Sequence, residues 1–337
     1  MHTRLQQQLL ETILSKYAKK ATAVEELSQI LAIGKDAVYR RLRGDTLLTP
    51  DELGLLSRQF KISLDALVFE NTDTVFFTFN RFSKTSKNFE EFLWNFLEEM
   101  ERASKLPDYR FYYASAELPL FQSMFVPELI AFKMFIWGRT VLDFGFIQEA
   151  SFSFDLIPLP LMQLTEKMLS IYIRLPSTEL WSQNIIDNTL NQFEYHLSSG
   201  SFKRPEDALL LCDKLSELID HMQLMARHGR KMALGATPSE TSGSSFDLYH
   251  NEMVHTNNTI LATTTTGNVL YTTLSNPNFL KSSDPQICEF MEDWFQKVIV
   301  KSNSISMQSE RSREWFFNRL RKKIERSRHR MEMEMGG

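Results

Sequence analysis

The segment 22–44, TAVEELSQILAIGKDAVYRRLRG, brings together the side chains best suited to contact a nucleic-acid duplex: Lys35, Asp36, Tyr39, Arg40 and Arg43. Arginine can bond guanine O6 and N7 with a matched pair of donors, and the other cationic and hydroxyl groups suit phosphate oxygens. Those residues act together only if a helix holds them on one face. Val38 and Leu42, at i and i+4, supply the opposite, buried side, and Gly44 is placed to end the helix, which predicts a helix over about 35–43. Ahead of it, Thr22 and Glu25 stand at capping-box spacing and open a helix carrying Val24, Leu27, Ile30 and Leu31 that ends near Ala32. Ile33 and Gly34 make a tight connection. Two short helices joined by about three residues have the geometry of a helix-turn-helix.

The flanks support the same unit. Thr49, Pro50 and Glu52 combine an N-cap, a proline at the first helical position and a second capping box, so another helix is expected through Phe60. Ser63 to Leu67 reads as a last short helix, and Leu5 to Ala18 as the first, five in all. The stretch ELSQILAIGKDAVYRRLRGD followed by LTPDELGLLSRQFKISLDALV resembles the Cro and phage-repressor type of DNA-binding domain, the xenobiotic-response-element family. The YRRLRGD run with ISLD is most similar to the large uncharacterised Bacteroidetes version. The later run ELPLF…VPELIAFKMFIW is similar to those regulators too, with no function attached to it. The resemblance implies a recognition helix whose residues Gly34, Lys35, Asp36, Tyr39 and Arg40 face the groove. It implies phosphate contacts for Arg41 and Arg43, which set register without reading sequence. Ala32 stands where the family usually has its turn glycine, Gly34 where it has a serine, and Arg41 where it has a core aliphatic.

The rest of the chain is a different composition. Of the 40 aromatic residues in 337, 21 fall between residues 71 and 154, which marks a boundary near Asn71. The Gly-, Ser- and Thr-rich stretch 235–245 reads as a linker or long loop. Phe89, Phe92, Leu93, Phe96, Leu97 and Met100 share one face of an expected helix that Ser86 or Asn88 can cap, and further helices are expected at about 128–142, 160–174, 178–198, 205–228, 285–300 and 308–329. Between the last two groups, DLYHNEMV, TILATTTT and VLYTTL alternate like strands, with Gly267 and Asn268 at a hairpin turn. The expected fold is mainly α: a five-helix helix-turn-helix domain over 1–70, a Phe-rich helical regulatory and dimerisation domain over 71–234, and an α+β region over 246–330 with a small antiparallel β element.

Composition excludes several classes. Apolar residues at 43%, charged residues at 24% and a formal charge of −4 describe a folded chain rather than a disordered or polycationic one. Two cysteines without CxxC spacing give no disulfide framework, and with no continuous apolar segment the chain reads as cytoplasmic. GxGxxG, GxxxxGK[ST], HExxH and GxSxG are all missing, so no catalytic residue, cofactor or metal is expected and an enzyme is the weakest reading. His221 and His228 lie seven apart on one helical face, and His250 and His255 five apart on a strand; neither pair makes a metal site alone. Residues 1–70 hold ten basic and nine acidic side chains, a net charge of only +1, so a homodimer on two half-sites is expected. The nine basic residues between Arg311 and Arg330 form a solvated face, a second DNA contact or a surface for acidic groups. The Phe-rich region is read as core, with a pocket for an apolar effector as the alternative. The leading expectation is a DNA-binding transcriptional regulator acting on double-stranded DNA and answering a small-molecule or peptide effector. The alternative is a helical peptide- or protein-binding sensor without DNA readout.

Overall fold

The computed structural model describes residues 4–336 apart from 18, 61, 69–73, 81–85, 142–144, 238–242, 253–256 and 276–277. The chain divides into two compact units, Met1–Phe76 and Phe77–Gly337.

In the first unit, helices α1 (Arg4–Leu14), α2 (Lys20–Leu31), α3 (Lys35–Arg43), α4 (Pro50–Phe60) and α5 (Leu64–Val68) enclose one apolar cluster. Leu9, Leu10 and Ile13 of α1, Val24 and Leu27 of α2, Val38 of α3 and Leu56 of α4 are all buried there. The capping box forms at α4: the Thr49 N–H donates to Glu52 Oε2 at 2.8 Å and the Glu52 N–H to Thr49 Oγ1 at 3.2 Å. It does not form at Thr22. The first helical turn there begins earlier, with the Thr22 N–H already bonded to the Lys19 carbonyl, and Glu25 instead pairs with Lys35 at 2.9 Å.

The second unit corrects the expected fold class. It is a mixed α/β structure built on an eight-stranded sheet, not a helical region with a small antiparallel element. Along the chain come β1 (Thr78–Asn80), α6 (Ser86–Ala103), β2 (Arg110–Ser115), α7 (Leu120–Ser123), α8 (Pro127–Thr140), α9 (Gly145–Gln148) and α10 (Leu159–Arg174). Next are β3 (Ser177–Trp181), α11 (Asp187–Ser198), α12 (Glu206–His228), β4 (Phe246–His250), β5 (Thr259–Thr263) and β6 (Val269–Ser275). Strand β7 (Asn278–Ser282), α13 (Pro285–Val300), β8 (Asn303–Ser304) and α14 (Glu310–Gly336) complete it. Strands β2, β3 and β4 are parallel neighbours, connected by helical crossovers, while β5, β6 and β7 form an antiparallel meander on the other edge of β2. The expected helix over 178–198 is therefore a strand followed by a helix.

The reason is burial on both sides. All five residues of β3 are buried, because helices cover one face of the sheet and α13 the other. Phe111, Tyr113, Trp181, Phe246 and Leu248 point into the larger core, whereas Ala114, Leu180 and Leu261 point toward Phe295 and Val298 of α13. A strand buried on both faces has no polar side, so the period of two that marks half-buried strands is lost. Helix α8 shows the same effect: Leu129 through Gly138 are all buried, and the helix runs through the core.

The stretch that reads as a linker is anchored at its end. The Ser244 N–H donates to the Ile173 carbonyl at 2.8 Å and the Lys231 N–H to the Ser244 carbonyl at 3.0 Å. A Cβ on Gly243 would stand 2.4 Å from the Lys231 carbonyl oxygen and 2.7 Å from that of Ile173. Backbone cannot yield as a side chain can, so Gly243→Ala is expected to cost about 2–3 kcal/mol in urea denaturation. An unchanged midpoint would show that this approach is not close in solution.

Candidate functional site

Helix α3 is presented outward by contacts on its inner side. Val38 is buried and Leu42 packs against the same cluster, which leaves Lys35, Asp36, Tyr39, Arg40 and Arg43 exposed within this unit. Two devices fix its ends. At the start, Ala32 closes α2 in the left-handed conformation (φ 51°, ψ 41°), with the Ile33 N–H reaching back to the Ser28 carbonyl at 3.1 Å. A Cβ makes this backbone strained, and the turn is kept all the same. At the far end, buried Gln6 of α1 donates to the carbonyls of Arg41 (2.8 Å) and Thr46 (3.0 Å) and accepts from the Leu48 N–H (2.7 Å). One amide thus satisfies a helix-end carbonyl and both sides of the following turn. The sequence reading did not single out Gln6; nothing in a QQQ run distinguishes the one that turns inward.

The cationic residues differ in how they are held. Arg41 is only 14% exposed, bonded through Nε and Nη2 to Glu52 at 3.4 and 2.8 Å. Burial works to raise the Glu52 carboxyl, but the Thr49 N–H and the Arg41 charge outweigh it and hold its pKa below the ordinary value. Lys35 and Arg43 make exposed pairs with Glu25 and Asp45, at 2.9 and 2.8 Å. Exposed pairs of this kind are worth ~1 kcal/mol or less and give way to a stronger anion. Arg40 makes no ion pair among the described residues.

The second unit buries a second group of titratable residues that the sequence reading passed over. Glu179, at the middle of β3, has no exposed surface. Its Oε1 accepts from the Tyr172 hydroxyl at 2.6 Å and the Ser177 hydroxyl at 3.1 Å, and its Oε2 from Gln122 Nε2 at 2.7 Å. Lys231, equally buried, donates to the carbonyls of Tyr172 and Leu175 at 3.2 and 2.7 Å and lies 3.5 Å from the Tyr172 ring centroid. Burial raises the pKa of Glu179 against the Lys231 charge and these hydrogen bonds, and lowers that of Lys231 to about 7 against the Glu179 charge.

The histidines bring no ligand set together. His221 is buried, bonds the Met232 carbonyl at 3.0 Å and packs on Phe125, and burial lowers its pKa. His250 bonds Glu252 at 2.5 Å; His255 lies outside the described residues. No group of three potential metal ligands occurs among the described residues. Cys212 and Cys288 are both buried and free. Among the described residues, no helix is long and apolar enough to cross a membrane. No protein-family model, curated protein or solved structure matches the chain.

Two outcomes follow from these contacts. Ala32→Gly should raise stability by up to about 1 kcal/mol, the relief of left-handed strain less the added entropy of the unfolded glycine; a loss of stability would mean that Ala32 is not left-handed. Lys231→Met or Glu179→Gln alone should each cost about 3 kcal/mol near neutral pH, and the double variant much less than the sum, because each single change leaves a buried partner uncompensated. The pH sign is fixed by Lys231: between its folded pKa near 7 and the unfolded ~10.4, the folded state binds fewer protons. Stability of the parent relative to Lys231→Met should therefore rise with pH through that window, as read by urea titrations at pH 6.5 and 9.5.

Proposed function

We propose that the chain is a sequence-specific DNA-binding transcriptional regulator whose first unit inserts α3 into the major groove. The observation that carries this reading is the outward face of α3, where Lys35, Asp36, Tyr39, Arg40 and Arg43 are exposed while Val38 is held in the core. Arg40 and Tyr39 sit mid-helix, where side chains reach base edges, and Lys35 and Asp36 stand at the helix N-terminus that enters a groove first. Arg43, in the last turn, is a phosphate contact, and Arg41 acts through its pair with Glu52 as a positioning residue with a phosphate within reach. The resemblance to the Cro and phage-repressor domains supports the same assignment.

With ten basic against nine acidic residues in 1–70, one copy neutralises few phosphates. A homodimer spanning two half-sites about 34 Å apart supplies the missing contacts, and the second unit would carry dimerisation and effector response. A coupling of ~1–3 kcal/mol between effector and DNA suffices to change occupancy 5- to 150-fold.

The test uses the full chain and a DNA site enriched from a random pool. Arg40→Ala should weaken binding to the enriched site about 10- to 100-fold with little effect on random DNA, and Arg43→Ala should weaken both alike. Equal losses for the two variants would overturn the role assignment. Failure to enrich any sequence, together with binding that is flat against log salt concentration, would favour the peptide- or protein-binding reading instead.

A further inference from the structure

The helix-covered side of the sheet in the second unit encloses an apolar cavity of about 140 Å³ between α6, α7 and strands β2, β5, β6 and β7. Phe96, Met100, Phe111, Phe121, Trp137 and Phe279 are among the residues that line it. The rings brace one another: Phe96 and Phe121 stack at 6.0 Å, Phe111 tilts against Phe121 at 6.2 Å, and Phe279 against Phe96 at 6.2 Å. A dry cavity of ~150 Å³ lined by such side chains is large enough for a single aromatic ring.

One end of the cavity is different. Glu99, Ala103, Tyr109 and Tyr271 line both this cavity and an open surface groove of about 900 Å³. Glu99 Oε1 accepts from Lys281 Nζ at 2.6 Å and Oε2 from the Tyr271 hydroxyl at 3.4 Å. Two carboxylate oxygens offer about four lone-pair sites, so Glu99, which lines the cavity, retains acceptor capacity beyond these two bonds. Lys281 lines the groove and not the cavity. Glu99 thus carries the one formal charge among the residues that line the cavity, and it also raises the hydroxyl pKa of Tyr109 and Tyr271 beyond the larger effect of their burial.

We propose that this cavity binds a single-ring aromatic molecule carrying one hydrogen-bond donor, a phenol or an arylamine, with the ring among the phenylalanines and the donor on Glu99. The size excludes fused polycyclic ligands, the walls exclude sugars, and Glu99 excludes aromatic carboxylates. A ring without a donor fills the space but leaves the mouth carboxylate unused, which sets the preference within the class. The site is a property of the second unit and holds whether or not the first unit reads DNA.

The experiment contains no DNA. Full-length protein is titrated with p-cresol, toluene and p-toluate, followed by calorimetry and by the shift in melting temperature. The expected result is that p-cresol binds and raises the melting temperature, with at least about tenfold higher affinity than toluene, while p-toluate does not bind. Ala103→Phe, which places a ring in the shared mouth, should remove p-cresol binding, and Glu99→Leu should reduce the p-cresol affinity to that of toluene. No binding of p-cresol to the parent protein overturns the proposal, as does equal affinity for p-cresol and toluene. Undiminished p-cresol binding by folded Ala103→Phe overturns the location. Should Ala103→Phe fail to fold, Glu99→Leu decides: an unchanged preference for p-cresol over toluene refutes the assignment.

Discussion

A carboxylate buried at the centre of a sheet is tolerable only if nearly every lone pair is met and a counter-charge lies near, and the second unit is arranged around that requirement at Glu179. Its donors come from three separate segments: Tyr172 from α10, Ser177 from β3 itself, and Gln122 from the short α7. Tyr172 works on both sides, its hydroxyl bonded to Glu179 and its ring face under the Lys231 ammonium. Lys231, just past α12, is in turn tied by its N–H to the carbonyl of Ser244, two residues before β4. Both crossovers that connect the parallel strands are thus pinned to one polar knot, so register errors that an all-apolar core would accept leave a buried charge here unpaired. Phe111 and Phe121 separate this knot from the cavity, Phe111 lying 4.7 Å from Lys231 Nζ and Phe121 stacking on Tyr172 at 4.9 Å.

The first unit solves a smaller problem, holding a nine-residue helix that contributes little of its own stability. An isolated helix of that length is marginal in water, so α3 depends on its neighbours. Val38 and Leu42 anchor one side, the left-handed Ala32 sets the angle of approach from α2, and Gln6 meets the open carbonyl at the end. The basic residues of the last turn, Arg40, Arg41 and Arg43, oppose the negative end of the helix dipole, so the charges that would meet a phosphate also help keep the helix wound.

What the sequence reveals follows the range of the interactions. The capping box at Thr49 and Glu52, the Gly44 stop and the i, i+4 burial of Val38 and Leu42 are settled within a few residues, and the sequence displays each of them. Thr22 and Glu25 have the spacing of a cap, but the chain starts its helix earlier at Lys20, so spacing alone does not select the cap. Strands β2 and β3 are hidden for the opposite reason: their partners lie about 70 to 150 residues away and both faces are covered. Glu179 and Lys231 are hidden as well, since charged residues ordinarily face water and only the assembled sheet shows them inside. The aromatic concentration before residue 154 marks the core that bounds the cavity, but not the gap left within it.

The C-terminal helix shows how a charge run gains meaning from what lies opposite it. Arg321 pairs with Asp220, Lys323 with Asp187, Arg328 with Asp213 and Arg330 with Glu194, so the acidic partners come from α11 and α12 of the same unit. Arg313 is buried and donates to the Met307 carbonyl at 2.9 Å. Each pair is partly exposed and individually weak, whereas Phe316, Phe317, Leu320, Ile324 and Met331 are fully covered. Apolar burial therefore holds α14 in place, and the alternating charges fix its rotation and register on α11 and α12. A cation already paired with a carboxylate must break that pair before it can meet another anion, so the density of basic residues along α14 overstates how much free positive charge this face presents.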